Sequence, residues 1–236
     1  MSDPKKHHKP YKHINVEPMT FVNLNKDTQE RVDRIAEEFK NGFTMIGTAE
    51  KSVTFWGSAR TMPHEKDYKK AYSLAQRIVK ELGYSIVTGG GPGIMAAANC
   101  GSYDAGGKSV GLTIKLPMEQ KTNLCVTHHM DFKYFFARKV CLAFAAEAYV
   151  YFPGGFGTMD ELFEILTLVQ TNKMEKVPII LVGKKYWKGL EKFIHKKLLR
   201  GEKIDKGDDQ IYTITDNEDE IIEIIRNAPL RSKDSV

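Results

Sequence analysis

Short apolar runs alternate with amphipathic stretches along most of this chain. The runs 52–56 (SVTFW), 84–88 (YSIVT), 109–114 (SVGLTI), 123–127 (NLCVT), 148–152 (AYVYF), 177–182 (VPIILV) and 211–214 (IYTI) predict strands. Segments with helical spacing lie between them, at 65–82, 94–105, 132–146, 158–171, 185–200 and 216–227. Several runs are apolar without alternation, as in a parallel sheet covered on both faces. This order predicts an α/β fold: a Rossmann-like, doubly wound, mostly parallel sheet with helices on both faces. An earlier helical pattern, through Val32, Ile35, Phe39 and Phe43, predicts a helix near 26–45 that packs on the main domain.

The first 20 or so residues are rich in Lys, His and Pro and lack periodicity, which predicts a flexible basic arm over 1–20. Residues 21–236 then form one domain, since 236 residues suffice for one sizeable core. The formal charge of +5 does not predict nucleic-acid binding. Four lysines of residues 1–13 against Asp3 carry +3 of it, which leaves +2 for the rest. A second basic run, Lys184–Lys203, fits a helix with lysines in water and Trp187, Leu190, Phe193, Ile194 and Leu198 beneath.

No apolar run reaches the ~18–20 residues of a bilayer-crossing helix, and the basic N-terminus lacks the apolar stretch of a secretory signal. Cys100, Cys125 and Cys141 are widely spaced and give neither a disulfide framework nor a CxxC pattern. Each reads as a small core residue in a reducing cytoplasm. The His128-His129-x-Asp131 stretch offers no third metal ligand at a usual spacing, so no metal site is expected.

In doubly wound sheets ligands bind at the carboxyl ends of the strands. Three predicted strands end there in glycine-containing loops: Gly57-Ser58-Ala59-Arg60, Gly89-Gly90-Gly91-Pro92-Gly93, and Pro153-Gly154-Gly155-Phe156-Gly157-Thr158. The last opens a helix, where exposed N–H groups and the helix dipole suit an anion such as phosphate. Glu161 then sets a carboxylate beside that point. The same letters also spell a capping box, with Thr158 as N-cap and Glu161 at N3. Standard nucleotide fingerprints fail: Ile94 breaks GxGxxG, and Ser102 stands where a Walker A loop ending at Gly107-Lys108-Ser109 needs glycine.

Helix 132–146 is apolar almost all round, yet Arg138 and Lys139 interrupt it. A buried guanidinium requires a carboxylate or a phosphate. The candidates are Glu147, the acids at 160–164, or a ligand held by the glycine loops. Helix 158–171 is apolar on two sides through Met159, Leu162, Phe163, Leu166, Ile165 and Leu168. Either other elements cover it or a second subunit packs on it, and a homodimer with sites near the interface is the preferred reading.

GSAR, GGGPGIM, the Arg138-Lys139 pair and PGGFGTMDE form an ordered set over roughly residues 50–200. Together they resemble the LOG (Lonely Guy) family of nucleoside-monophosphate phosphoribohydrolases, whose hallmark is PGGxGTxxE and whose members have often been labelled lysine decarboxylases. The resemblance implies a cofactor-free hydrolase that forms homodimers or larger assemblies. It would cleave the N-glycosidic bond of AMP or a cytokinin riboside 5′-monophosphate, releasing free base and ribose 5-phosphate. It also implies that Arg138 and Glu161 are catalytic and that Lys139 assists substrate binding. Gly154, Gly155, Gly157 and Thr158 would hold the 5′-phosphate, and Ser58 with Gly89, Gly90, Gly91 and Gly93 would complete the pocket. Phe156 and Asp160 stand in the same motif where plant-type members have Tyr and Glu. The alternative is a non-hydrolytic nucleotide or molybdenum-cofactor carrier, which would keep the glycine loops without needing the Arg138–Glu161 pair.

Overall fold

The computed structural model describes residues 21–114 and 122–230. The arm expected at 1–20 lies outside the described residues. Seven strands form one sheet in which every pairing is parallel: β1 (Ser52–Trp56), β2 (Ser85–Thr88), β3 (Ser109–Ile114), β4 (His128–Phe132), β5 (Ala148–Tyr151), β6 (Ile179–Leu181) and β7 (Thr213–Ile214). Their order is β4-β3-β2-β1-β5-β6-β7, so the chain winds outward from β1 in one direction and then from β5 in the other. The expected doubly wound fold is present, and its switch point lies between β1 and β5.

Successive strand residues point to opposite faces, and each face has its own core. Val53, Phe55, Val150 and Phe152 pack under α2 (Lys66–Leu82), α3 (Ile94–Asp104) and α7 (Glu218–Arg226). Trp56, Tyr149 and Tyr151 pack under α4 (Phe135–Ala143), α5 (Phe156–Gln170) and α6 (Lys184–Phe193). Asn217 caps α7 by accepting from the N–H groups of Asp219 and Glu220. The amphipathic reading of the basic run holds for Trp187, which is fully buried and donates from Nε1 to the Val182 carbonyl at 2.9 Å, and for Ile194. Phe193, expected beneath the helix, is half-exposed, and α6 continues as a π-helical turn over Ile194–Leu199.

Helix α1 (Phe21–Gly47) is longer than the expected 26–45. Val32 is exposed, whereas Phe39, Met45 and Ile46 lie on the core. Glu38 fixes the junction with α4 by accepting from the N–H groups of Lys133 at 2.7 Å and Tyr134 at 3.1 Å.

Two expectations fail around residues 123–132. The apolar letters at 123–127 are not a strand. Asn123 instead turns towards the second glycine loop, and β4 starts only at His128. As an edge strand β4 buries Phe132 and part of Met130 while His129 and Asp131 face outward, so its letters look polar. Phe132 belongs to that strand, paired with Ile114, which shortens the expected 132–146 helix at its start. The cysteines also differ from expectation: Cys100 and Cys125 form a disulfide, with Cα atoms 4.8 Å apart, and only Cys141 is a free, buried core residue. Among the described residues no helix is long and apolar enough to cross a membrane, and no group of three or more His, Cys, Asp and Glu could hold a metal ion.

Candidate active site

The three glycine loops follow β1, β2 and β5, the three adjacent central strands, and all leave the same edge. They are bonded to one another. Ser58 N–H donates to the Pro153 carbonyl at 3.0 Å, and Ile94 N–H donates to the Ser58 carbonyl at 3.0 Å. Gly93, at φ +69°, lies so close to Ser58 and Ala59 that a side chain would overlap their backbone. The Ser58 hydroxyl accepts from Arg60 N–H at 3.1 Å.

The PGGFGT turn starts its helix earlier than a capping box requires. Gly155 is the N-cap, and the first helical bond runs from Met159 N–H to the Gly155 carbonyl at 3.1 Å. Thr158 is therefore inside the first turn and Glu161 almost a turn beyond it, so the capping-box reading is overturned. No side chain caps this helix, which leaves the N–H groups of Phe156, Gly157 and Thr158 at its open end. Thr158 is buried directly against Gly154, where a methyl group would overlap its hydroxyl. Phe156 is 97% exposed and Gly157 is exposed as well, so among the described residues nothing covers the tip of the turn.

Arg138 is 9% exposed and donates from Nε to the Leu112 carbonyl at 2.6 Å. A methyl group on Gly89 would run into its Nη2. The guanidinium thus lies under the second glycine loop, in a cleft lined by Gly89, Gly90, Gly91, Met95, Thr113 and Thr122. Burial lowers its pKa from the ordinary arginine value and the charge of Glu161 opposes that shift.

Glu161 is 5% exposed, and its Oε2 is buried without a hydrogen-bond partner among the described residues. Burial pushes its carboxyl up to about 8. Lys139 and Arg138 pull it down, while Glu164 and Asp160 add to the rise. Such a carboxyl changes charge near neutral pH, as acid–base groups at reaction centres do.

Lys139 joins α4 to α5 through Asp160 at 2.7 Å and Glu164 at 3.4 Å. Burial pulls its ammonium down, but the bond to Asp160 and the charges of Glu161, Glu164 and Asp160 outweigh it, so its pKa lies above the ordinary lysine value. The ion pair weighed for the Arg138 guanidinium is absent among the described residues, and Lys139 takes the acids at 160 and 164. Arg138 takes a backbone carbonyl instead, and Glu147 accepts from Ser52 N–H at 2.6 Å elsewhere.

Several residues at this edge escape sequence reasoning. Leu112 acts through its carbonyl, which no side-chain pattern reveals. Tyr186 donates to the Gly154 carbonyl at 2.5 Å from 32 residues away. Glu164 was legible in principle, since i and i+3 share a helix face with Glu161. Beside it, a wide groove of about 620 Å³ runs along α5 past Phe156, Met159, Asp160, Phe163, Glu164 and Leu168.

Known proteins resemble this chain in sequence or in fold. The probable cytokinin riboside 5′-monophosphate phosphoribohydrolase LOG6 of Arabidopsis thaliana is 30% identical over 132 residues, which are 56% of this chain and 66% of that protein. The cytokinin riboside 5′-monophosphate phosphoribohydrolase of Rhodococcoides fascians is 27% identical over 64% of this chain and 77% of its own. The pyrimidine/purine nucleotide 5′-monophosphate nucleosidase of Escherichia coli K12 is 26% identical over 74% of this chain, but the match spans only 41% of that enzyme. Among solved structures, the molybdenum cofactor binding protein of Rippkaea orientalis superposes with a TM-score of 0.55 at 22% identity, over 74% of this chain and 93% of that one. The molybdenum cofactor carrier protein of Chlamydomonas reinhardtii gives 0.55 at 22% identity, over 75% and 98%. These two establish likeness of fold alone. Residues 95–225 match the family described as "Possible lysine decarboxylase", a span that holds Arg138, Glu161 and the whole PGGFGT turn. This chain belongs to that family, the LOG family.

Proposed function

We propose that this protein hydrolyses the N-glycosidic bond of a nucleoside 5′-monophosphate, with AMP or a cytokinin riboside 5′-monophosphate as substrate, to give free base and ribose 5-phosphate. The observation that carries the reading is the buried Glu161 carboxyl, whose Oε2 has no partner among the described residues and whose charge acts on Arg138. The names of the Arabidopsis, Rhodococcoides and Escherichia relatives support the same reaction class.

In this reading the 5′-phosphate lies at the open end of α5, against the N–H groups of Phe156, Gly157 and Thr158, with the second glycine loop closing the other side. Holding the phosphate fixes the ribose near Glu161, which lowers the entropic part of the barrier. As the C1′–N bond breaks, positive charge grows on the ribose, as in glycoside hydrolysis. The ionised Glu161 stabilises that charge and accepts a proton from the attacking water. Arg138, held by Leu112, favours the ionised form of Glu161 and faces the departing base. Lys139 lowers the Glu161 pKa from the other side.

A homodimer fits the same reading. Phe156 and Phe163 are exposed on α5, and a second copy packed there would dry the groove beside Glu164. The carrier alternative shares the fold but gives the buried carboxyl no task.

Incubation with AMP, CMP, GMP and a cytokinin ribotide, with assays for free base and ribose 5-phosphate, tests the proposal. Turnover of at least one and its near-complete loss in Glu161→Ala is the expected result. Binding of a monophosphate without any cleavage would favour the carrier.

A further inference from the structure

We propose that the Cys100–Cys125 disulfide is a redox clamp on the nucleotide pocket, acting through Asn123 as a positioning residue for the Gly89–Gly93 loop. The proposal deepens the hydrolase reading and rests on it for its kinetic consequence. The second glycine loop cannot hold itself in place, because Gly90 and Gly93 both take φ of +69° and Gly89 carries no side chain to pack. Its carbonyls are held by Asn123. The Asn123 backbone N–H donates to the Gly90 carbonyl at 2.9 Å, and its side-chain amide donates to the same carbonyl at 3.1 Å and to the Gly91 carbonyl at 3.0 Å.

The same amide reaches Asn99 Oδ1 at 2.9 Å. Asn99 is fully buried on α3, where it also accepts from the Thr88 hydroxyl at 2.6 Å and donates to the Ser109 hydroxyl at 2.8 Å. Thr88 in turn accepts from Gly90 N–H at 2.8 Å. The loop is therefore fastened by one connected polar network whose outermost member is Asn123. Networks of this kind fail as a unit when one member moves.

Asn123 keeps its place because its neighbours do. Cys125 N–H donates to Asn123 Oδ1 at 3.2 Å, and the Cys125 sulfur is bonded to Cys100, the residue after Asn99. The disulfide thus ties the segment that carries Asn123 to the helix that carries Asn99, one residue away from the hydrogen bond it protects. Leu124 between them is fully exposed and contributes no packing to hold the turn. Both cysteines are part-exposed, so a small thiol can reach the bond.

Reduction needs a dithiol reductant. One thiolate attacks a cystine sulfur, the S–S bond breaks, and the other cysteine leaves as a thiolate that takes up a proton. The second thiol of the reductant resolves the mixed disulfide, so two electrons and two protons pass to the protein and the reductant becomes a disulfide. The segment then loses its covalent tie to α3, and the Gly89–Gly93 loop loosens.

Three measurements on the full chain test the clamp. Thiol counting on the unfolded, air-oxidised protein should find one free cysteine, Cys141, and three after dithiothreitol; three before reduction would overturn the proposal. Hydrogen exchange at residues 89–93 should rise on reduction and in the Cys100→Ser/Cys125→Ser double variant, and unchanged exchange in both would overturn it. This readout needs no turnover, so it separates failure of the clamp from failure of the hydrolase reading. With a cleaved monophosphate, reduction should raise KM by about tenfold while kcat stays within about twofold, as a loss of uniform binding requires. Reoxidation should restore KM, and the double variant should show the reduced values without redox response. A fall in kcat at constant KM would place the effect outside the loop and overturn the proposal.

Discussion

Arg138 and Glu161 lie on neighbouring helices, and each shifts the titration of the other: the carboxylate raises the pKa of the guanidinium, and the guanidinium lowers that of the carboxyl. The pair is buried and only partly satisfied. Arg138 spends one donor on the Leu112 carbonyl, while Glu161 Oε2 has no partner among the described residues.

Replacing Arg138 by lysine keeps the charge and removes the planar fork that serves the Leu112 carbonyl and the loop at once. Arg138→Lys should lower kcat/KM for base release by on the order of a hundredfold, with circular dichroism and melting close to wild type. A value within about threefold of wild type would mean that charge alone suffices.

The raised pKa of Glu161 gives activity and stability opposite dependences on pH. Activity needs the carboxylate, so kcat/KM should rise with pH and level off above about 8. The unfolded chain loses this proton near the ordinary value of 4.5 while the folded protein keeps it until about 8, so stability is full below the lower value and falls as pH rises between them. Glu161→Gln should be inactive. Above pH ~8 it should resist urea better than wild type by a few kcal/mol, and near pH ~4 it should match it. Parallel urea curves at both pH values would refute this.

Lys139 holds the Glu161 pKa down. Lys139→Met should therefore move the rising limb of the pH–rate profile to higher pH, with the plateau rate changed less than the midpoint. Asp160→Asn, which removes a negative charge that raises the Glu161 pKa, should move it to lower pH. Shifts in the same direction for both variants would contradict the assignment.

Gly89 lies against Arg138 Nη2, and its missing side chain is what lets the guanidinium sit under the loop. Gly89→Ala should displace Arg138 and cost activity about as much as Arg138→Lys does, with the double variant little worse than either single one. Full additivity would mean that the two residues act independently.

Phe156 and Phe163 are exposed apolar residues on α5, the helix that carries Glu161. If a second copy covers them, Phe163→Glu should shift the protein towards monomer in analytical ultracentrifugation and lower kcat. An unchanged oligomeric state would remove α5 as the interface.

The sequence was most readable where residues do one thing. Central strands carry buried apolar residues on both faces, as Phe55 and Trp56 or Val150 and Tyr151 do, and the glycines after β1, β2 and β5 mark where the chain turns at one edge. It was least readable where packing and polar roles cross. The apolar letters around Leu124 and Cys125 serve a disulfide-bonded turn rather than a strand, and the polar letters His128 and His129 form an edge strand that needs few apolar side chains. The Thr158–Glu161 spacing suggested a cap because capping boxes are spelled that way. The helix begins at Phe156 because Gly155 can take the cap position without a side-chain bond. Backbone partners such as the Leu112 carbonyl leave no trace in composition at all.

The sheet order has a consequence for how the protein acquires its activity. The central pairing of β1 with β5 joins Val53 to Ala148, and the buried bond from Ser52 to Glu147 spans 95 residues. Contacts so distant in the chain are slow to form. The loop after β5 and the helix that carries Glu161 meet the loops after β1 and β2 through that pairing, so helices and local turns can be complete while the pocket does not yet exist. Under the hydrolase proposal, recovery of base release during refolding is therefore a clock for the last long-range step.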